Sequence, residues 1–121
     1  MIRRLALLFA TALAAVLVVS AVGSAAATPT LSGSVGPTFV ISLKMGGKQV
    51  TKLKAGTYKL VVSDKSDFHD FHLIGPGVNK VVTTVAFVGK KTLTVTLKKG
   101  MYSYQCDPHA ANGMFGKFTV S

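Results

Sequence analysis

The sequence predicts an all-β fold, a Greek-key β-sandwich, for the part of the chain that follows residue 27. Short stretches rich in Val, Thr, Phe and Tyr recur about every eight to twelve residues, with Gly, Lys and Asp between them. Residues 92–97 alternate threonine with Leu or Val, the pattern of a strand with one buried face. Beyond residue 27 the sequence has no sustained helical period and no internal repeat, so a sandwich of short strands is the expected architecture.

The first 27 residues are predicted to be a signal peptide. Arg3 and Arg4 give it a positive start, an apolar run extends from residue 5 to about residue 22, and three alanines at 25–27 form a cleavage pattern of small residues. A retained membrane anchor is the alternative, because the run is close to the ~18 residues of a membrane-spanning helix. Cleavage would leave one domain, residues 28–121, exported to the periplasm, the cell surface or the medium.

Eight strands are expected within that domain, at residues 31–35, 38–43, 56–63, 69–74, 81–87, 92–97, 100–106 and 116–120. Glycine-containing turn signals separate several of them, at residues 46–47, 54–56, 75–77 and 98–100.

The charge of the chain is strongly basic. Without Arg3 and Arg4 there are twelve lysines, no arginine and only four acidic residues, all aspartates. Such a charge favours an acidic protein partner, an anionic membrane or a cell-wall polymer. The lysines lie mostly at turns and on outward strand positions, where they could equally serve solubility and edge protection. Nucleic acid is excluded as a partner, because export removes it and the domain has no arginine for bidentate contacts.

Cys106 is the only cysteine of the chain. An exported protein with one cysteine cannot form an internal disulfide, so this residue stays a free thiol, pairs with another molecule, or binds a metal.

A metal is the sharpest of these options because of the residues that follow Cys106. His109 and Met114 complete the spacing C-x2-H-x4-M in one loop between two predicted strands. A thiolate, imidazoles and a weak thioether suit a copper ion that alternates between Cu(I) and Cu(II).

A further ligand has to come from His69 or His72. Strand alternation puts His69 on the same face as Phe71 and Leu73, which are natural core residues, and puts His72 on the other face. His69 is therefore the expected ligand.

These two segments resemble the copper-binding segments of the cupredoxins. The loop is similar to that of plastocyanin and pseudoazurin, which share C-x2-H-x4-M, and residues 69–73 resemble the first-ligand segment; amicyanin also carries a second histidine there that is not a ligand. The resemblance implies one type 1 copper ion per chain. His69, Cys106 and His109 would be its equatorial ligands and Met114 a long axial one.

The sequence departs from the family pattern at two aspartates. Asp70 stands where the family usually has Asn, and Asp107 where it often has Ser or Thr, side chains that tend to join the two ligand segments. Two ionised carboxylates there would repel each other. Either one is protonated with a raised pKa, or the two separate into solvent.

The function expected from these observations is that of a monomeric one-electron carrier between redox proteins. His109 would pass the electron, within a contact patch formed by Ala110, Ala111 and Phe115. The alternatives are a copper-binding module for storage or delivery and a structural module that has lost its metal. A redox enzyme is not expected, because one Cys and three His leave no ligands for a second metal centre.

Overall fold

The computed structural model describes residues 14–20, 23 and 27–121. The predicted signal peptide therefore lies largely outside the described residues, and its cleavage stays a prediction. Within the described part of the chain, no helix is both long and apolar enough to span a bilayer.

Two five-stranded sheets pack face to face, which confirms the predicted β-sandwich. The first sheet has the strand order β3-β2-β1-β5-β8 and the second the order β4-β10-β9-β6-β7. In chain order the strands are β1 (Thr30–Val35), β2 (Ile41–Met45), β3 (Lys48–Gln49), β4 (Lys52–Leu53), β5 (Gly56–Asp64), β6 (Phe71–Gly75), β7 (Val78–Thr83), β8 (Gly89–Leu97), β9 (Gly100–Gln105) and β10 (Phe115–Val120).

Alternation along the strands builds the core. In β5, Tyr58, Leu60 and Val62 are buried, while Thr57 and Lys59, which alternate with them, are exposed. The threonines of β8 face outward as the sequence pattern predicted. Inward-facing side chains of both sheets form one cluster, whose fully buried members include Leu31, Val35, Leu43, Leu60, Val62, Phe71, Leu73, Leu97, Tyr102 and Tyr104.

Three predicted strands were placed wrongly. The strand expected at residues 38–43 is Ile41–Met45, because the chain turns through Pro37 and leaves Phe39 and Val40 exposed in the connection. The strand expected at 81–87 is Val78–Thr83, and residues 84–87 form a turn closed by a hydrogen bond from Phe87 N to Thr84 O.

The third error concerns residues 69–74. The strand is Phe71–Gly75, so His69 and Asp70 precede it. A bulge in the pairing with β7 lies between Phe71 and His72. Two-residue strands β3 and β4 were not predicted, nor was the short 3-10 helix Asp107–Asn112.

The position of the predicted ligands follows from the second sheet. Strands β6 and β9 are neighbours, with His72 opposite Gln105. The segment that enters β6 and the loop that leaves β9 therefore meet at one end of the sandwich, which we call the site pole.

Candidate metal centre

His69 and Cys106 are brought together by the pairing of β6 with β9. His69 lies just before β6, Cys106 just after β9, and both side chains are fully buried. The Nδ1 atom of His69 is 3.5 Å from the Sγ atom of Cys106. Two residues 37 positions apart in the sequence thus place soft and borderline donor atoms side by side.

The loop after Cys106 places His109 over the same sulfur. A 3-10 helix spans Asp107–Asn112, and His109 N donates to Cys106 O at its start. Gly113 ends the helix with φ of +92°, a left-handed conformation that favours glycine, and the chain then reaches Met114. The Nδ1 atom of His109 lies 3.4 Å from the Sγ atom of Cys106.

Backbone hydrogen bonds also tie Met114 into this loop. Its N–H donates to His109 O at 3.2 Å, and its carbonyl accepts from Cys106 N at 3.0 Å. The Met114 side chain is completely buried. All four sequence-predicted residues therefore belong to one small assembly at the site pole.

The donor atoms of His69, Cys106 and His109 lie within 4.8 Å of one another. The two Nδ1 atoms face each other at 3.0 Å, and Nε2 of His69 is buried without a hydrogen-bond partner in the described part of the chain. Two imidazole nitrogens and a sulfur that converge in this way match the ligand preference of copper. The residues present therefore fit a copper ion.

Burial raises the pKa of the Cys106 thiol, and the nearby Asp70 carboxylate contributes in the same direction. The metal-free protein therefore keeps this thiol protonated over a wider pH range than an exposed cysteine. A metal ion has to displace that proton, so copper binding releases protons and strengthens as pH rises.

Two phenylalanines flank the imidazoles. The ring of Phe39 packs edge-on against His109 and His69, with centroid separations of 4.8 and 5.6 Å. Phe68 packs against His69 at 4.4 Å. Both phenylalanines are themselves partly exposed, so they form an apolar rim between the histidines and solvent.

Sequence reasoning missed Phe39, which belongs to the connection between β1 and β2. It also missed Gly36 in the same connection, where φ is +72° and an added Cβ would lie 3.0 Å from the His69 ring. The only local signal was the Gly36-Pro37 turn, and nothing in the sequence indicated that this turn lies against the histidines.

His72 points away from the donor cluster. Its Nδ1 atom lies 2.9 Å from Asp107 Oδ1, and its Nε2 atom contacts the amide oxygen of Asn79. Burial opposes protonation of His72, but Asn79 and Asp107 outweigh it and raise the pKa of this imidazole. Both ring nitrogens are therefore engaged outside the cluster, in agreement with the face predicted from alternation.

The two aspartates lie next to each other and do not separate into solvent, and their pKa values shift in opposite directions. Asp107 N donates to Asp70 Oδ1 at 2.6 Å, so the carboxyl group of Asp70 links the ligand segments. Burial raises the pKa of Asp70. Burial also opposes ionisation of Asp107, but hydrogen bonds from Gln105 and His72 outweigh it and lower the pKa of Asp107. One carboxyl group takes up a proton more readily and the other stays ionised.

The residues of the predicted contact patch differ in how far they are exposed to solvent. Ala110 is half-buried, Ala111 is exposed and Phe115 is half-exposed, all at the site pole. Phe39 and Phe68 add exposed apolar area directly around His109, which is itself half-buried.

In the described part of the chain, the fold and the cluster together define a β-sandwich protein with a Cys-His-His metal centre at one pole. The sequence matches the family model "Copper binding proteins, plastocyanin/azurin family" over residues 37–121. The chain therefore belongs to the plastocyanin/azurin family of copper-binding proteins, and its cofactor is copper. The resemblance noted in the sequence to the cupredoxins is confirmed.

Solved structures support the same assignment. Rusticyanin from Thiobacillus ferrooxidans is 27% identical with a TM-score of 0.56, over 80% of this chain and 79% of that protein. A second structure, of the copper protein rusticyanin, is 25% identical with a TM-score of 0.58, over 80% of each chain. Reduced auracyanin from Roseiflexus castenholzii shares the fold, with 18% identity and a TM-score of 0.54, over 79% of this chain and 99% of that protein. No curated protein sequence matches the chain significantly.

Proposed function

We propose that this chain is an exported one-electron carrier whose single copper ion is bound by His69, Cys106, His109 and Met114. The observation that carries the proposal is the convergence of two imidazole Nδ1 atoms on one buried thiol. Copper in such a site supplies one-electron exchange between Cu(I) and Cu(II). Every other requirement of the function falls on the protein: holding the ligands, excluding water, and exposing one edge to a partner.

Holding the ligands depends on two stiff supports. His69 lies between Gly36 and Phe68, and the loop of Cys106, His109 and Met114 is closed by its own backbone hydrogen bonds. Ligands that do not move between redox states keep the reorganisation energy small, which favours rapid electron transfer.

The route for the electron is the imidazole of His109. Of the two clustered histidines, His69 is fully buried and His109 only half-buried, so His109 offers the shorter path to a partner. The partly exposed rings of Phe39 and Phe68 lie beside this route and provide apolar surface that a redox protein could cover on docking.

Export of the protein and a redox partner with an acidic docking surface are part of the same proposal. Export follows from the N-terminal pattern of residues 1–27, with the lone Cys106 in agreement. A redox partner with an acidic docking surface would meet Lys65, Lys90 and Lys91, the lysines near the site pole.

Storage or delivery of copper is the weaker alternative. A buried, preformed site surrounded by aromatic rings and closed by backbone hydrogen bonds retains its metal, whereas delivery requires ready release.

The test is a titration of the metal-free protein with Cu(II), followed by visible absorption. The expected result is one copper per chain and an intense blue band from thiolate-to-copper charge transfer. Cys106→Ser should abolish that band, and a variant that keeps it would remove Cys106 from the ligand set.

A matched pair of variants tests the histidine assignment. His69→Ala should lose or strongly alter the blue site, whereas His72→Ala should keep it, because the two ring nitrogens of His72 are engaged by Asp107 and Asn79. The opposite outcome would show that His72 is the ligand.

A further inference from the structure

The acidic and basic residues of this chain are concentrated at opposite ends of the sandwich. All four acidic residues of the sequence lie at the site pole: Asp64 ends β5, Asp67 and Asp70 connect it to β6, and Asp107 follows β9. Five exposed lysines lie at the other end, which we call the far pole: Lys48, Lys52, Lys54, Lys98 and Lys99. The basic character of the protein is thus strongest away from the metal.

The turns that carry these lysines adjoin one another. Lys98 N donates to the Tyr102 hydroxyl, which donates to Pro76 O, so the β8–β9 and β6–β7 turns are joined. Lys52 lies in β4, beside the end of β10. Val120 of β10 pairs with Gly100 of β9, directly after Lys98 and Lys99, so these two lysines and Lys52 lie on one continuous end of the molecule.

An apolar groove opens among the same lysines. Its volume is about 360 Å³, and Pro29, Met45, Leu53 and Tyr58 line it together with Lys52 and Lys54. Met45 is 39% exposed although it ends a strand, so part of this apolar surface faces solvent. A groove of this composition suits a ligand that is both apolar and anionic.

The chain leaves the sandwich toward its N-terminus at this same end. Pro29 lines the groove and β1 begins at Thr30, immediately after it. The apolar groove and the lysines therefore lie at the end of the sandwich where the domain begins.

From these features we infer that the far pole is a membrane-docking surface for anionic lipid. Lysines attract anionic headgroups within about a Debye length, and apolar side chains between them enter the headgroup region. A soluble acidic protein would use the lysines but leaves the exposed apolar residues unexplained. Docking at the far pole turns His109 away from the lipid, so a redox partner can reach it while the protein stays at the membrane. The inference does not depend on the copper ligands.

The test is lysine footprinting, on vesicles, of the mature protein, residues 28–121, from which the predicted signal peptide has been removed. The protein is mixed with vesicles of phosphatidylcholine alone or with one third phosphatidylglycerol, treated with an amine-acetylating reagent, and analysed by peptide mass spectrometry. Lysines of the far pole should react about fivefold more slowly on the anionic vesicles. Lys65, Lys90 and Lys91 at the site pole should react equally on both, and they provide the internal control.

Charge-neutralising variants then separate the two poles. Lys54→Gln combined with Lys98→Gln and Lys99→Gln should return Lys48 and Lys52 to the reactivity found on neutral vesicles. The matched triple variant, Lys65→Gln with Lys90→Gln and Lys91→Gln, should keep the protection. All six positions are exposed, so neither variant disturbs the core.

Three results would overturn the inference. One is equal protection of both poles on anionic vesicles. Another is equal reactivity of the far-pole lysines on neutral and anionic vesicles. The third is protection by a soluble acidic polymer at the same charge concentration, but not by the vesicles.

Discussion

Asp70 links the two ligand segments, and replacing it in two ways tests how it does so. In Asp70→Asn the side-chain oxygen can still accept the 2.6 Å hydrogen bond from Asp107 N. In Asp70→Ala the partly buried N–H loses its acceptor, which costs about 1–3 kcal/mol of unfolding free energy. We therefore expect the alanine variant to be less stable than wild type by this amount, and the asparagine variant to match or exceed wild type at neutral pH.

The pH dependence follows from the raised pKa of Asp70. Burial makes the folded protein hold this proton more tightly than the unfolded chain does. The stability contributed by the protonated carboxyl group is complete below the ordinary pKa of aspartic acid, and it is lost as pH rises through the raised pKa. The advantage of Asp70→Asn over wild type should therefore grow with pH across the acidic range and then become constant.

The assay is urea unfolding of the metal-free proteins, measured at several pH values from mildly acidic to neutral. Metal-free protein is used so that copper binding does not contribute to the measured free energy. Equal destabilisation of the asparagine and alanine variants would show that the hydrogen bond from Asp107 does not need an acceptor at residue 70. An advantage of Asp70→Asn that falls with rising pH would show that the folded protein does not hold the Asp70 proton more tightly than the unfolded chain does.

Three further outcomes are expected. Gly36→Ala should lower the unfolding free energy by about 1–3 kcal/mol, because φ is +72° and the new Cβ would press on Ser66 and His69. The copper absorption band of this variant should also shift. An unchanged spectrum would show that Gly36 does not support the metal site. Leu60→Ala in the fully buried core should cost about 2–5 kcal/mol in urea unfolding and leave the copper spectrum intact; loss of colour in folded protein would contradict the separation of core and site. Electron transfer to an acidic partner should slow as salt is added, because the Debye length falls to about 10 Å at 0.1 M. A rate that does not respond to salt would show that the lysines near the site pole contribute to solubility and not to the attraction of a partner.

Much of the fold was predictable because burial alternates so regularly. The period of two in β5 and β8 is enforced by a core on one side and water on the other, and such a pattern is visible without coordinates. The convergence of Cys106, His109 and Met114 was predictable for a different reason, since one short loop between two strands leaves them little freedom. His69 was predictable from its apolar neighbours, although it precedes the strand.

The strand boundaries were predicted wrongly where residues of high β-propensity lie in connections and turns. Phe39 and Val40 have high β-propensity, yet they leave the sheet, and Phe39 packs against the histidines. Phe87 lies in a turn, where its ring meets the ammonium group of Lys91 at 4.7 Å from the centroid. Composition cannot separate these uses from pairing in a sheet, because the deciding contacts come from residues far away in the sequence. The partition of protons between Asp70 and Asp107 was equally hidden, since it depends on His72 and Gln105.

The span of 37 residues between His69 and Cys106 has a consequence for how the protein acquires its metal. An unfolded chain presents Cys106, His109 and Met114 within one flexible loop, but it cannot bring His69 to them until that long loop closes and β6 lies beside β9. Formation of the blue chromophore during refolding should therefore report a late, non-local event rather than local collapse. The visible absorption of the copper-bound protein would then report when β6 pairs with β9 in the second sheet.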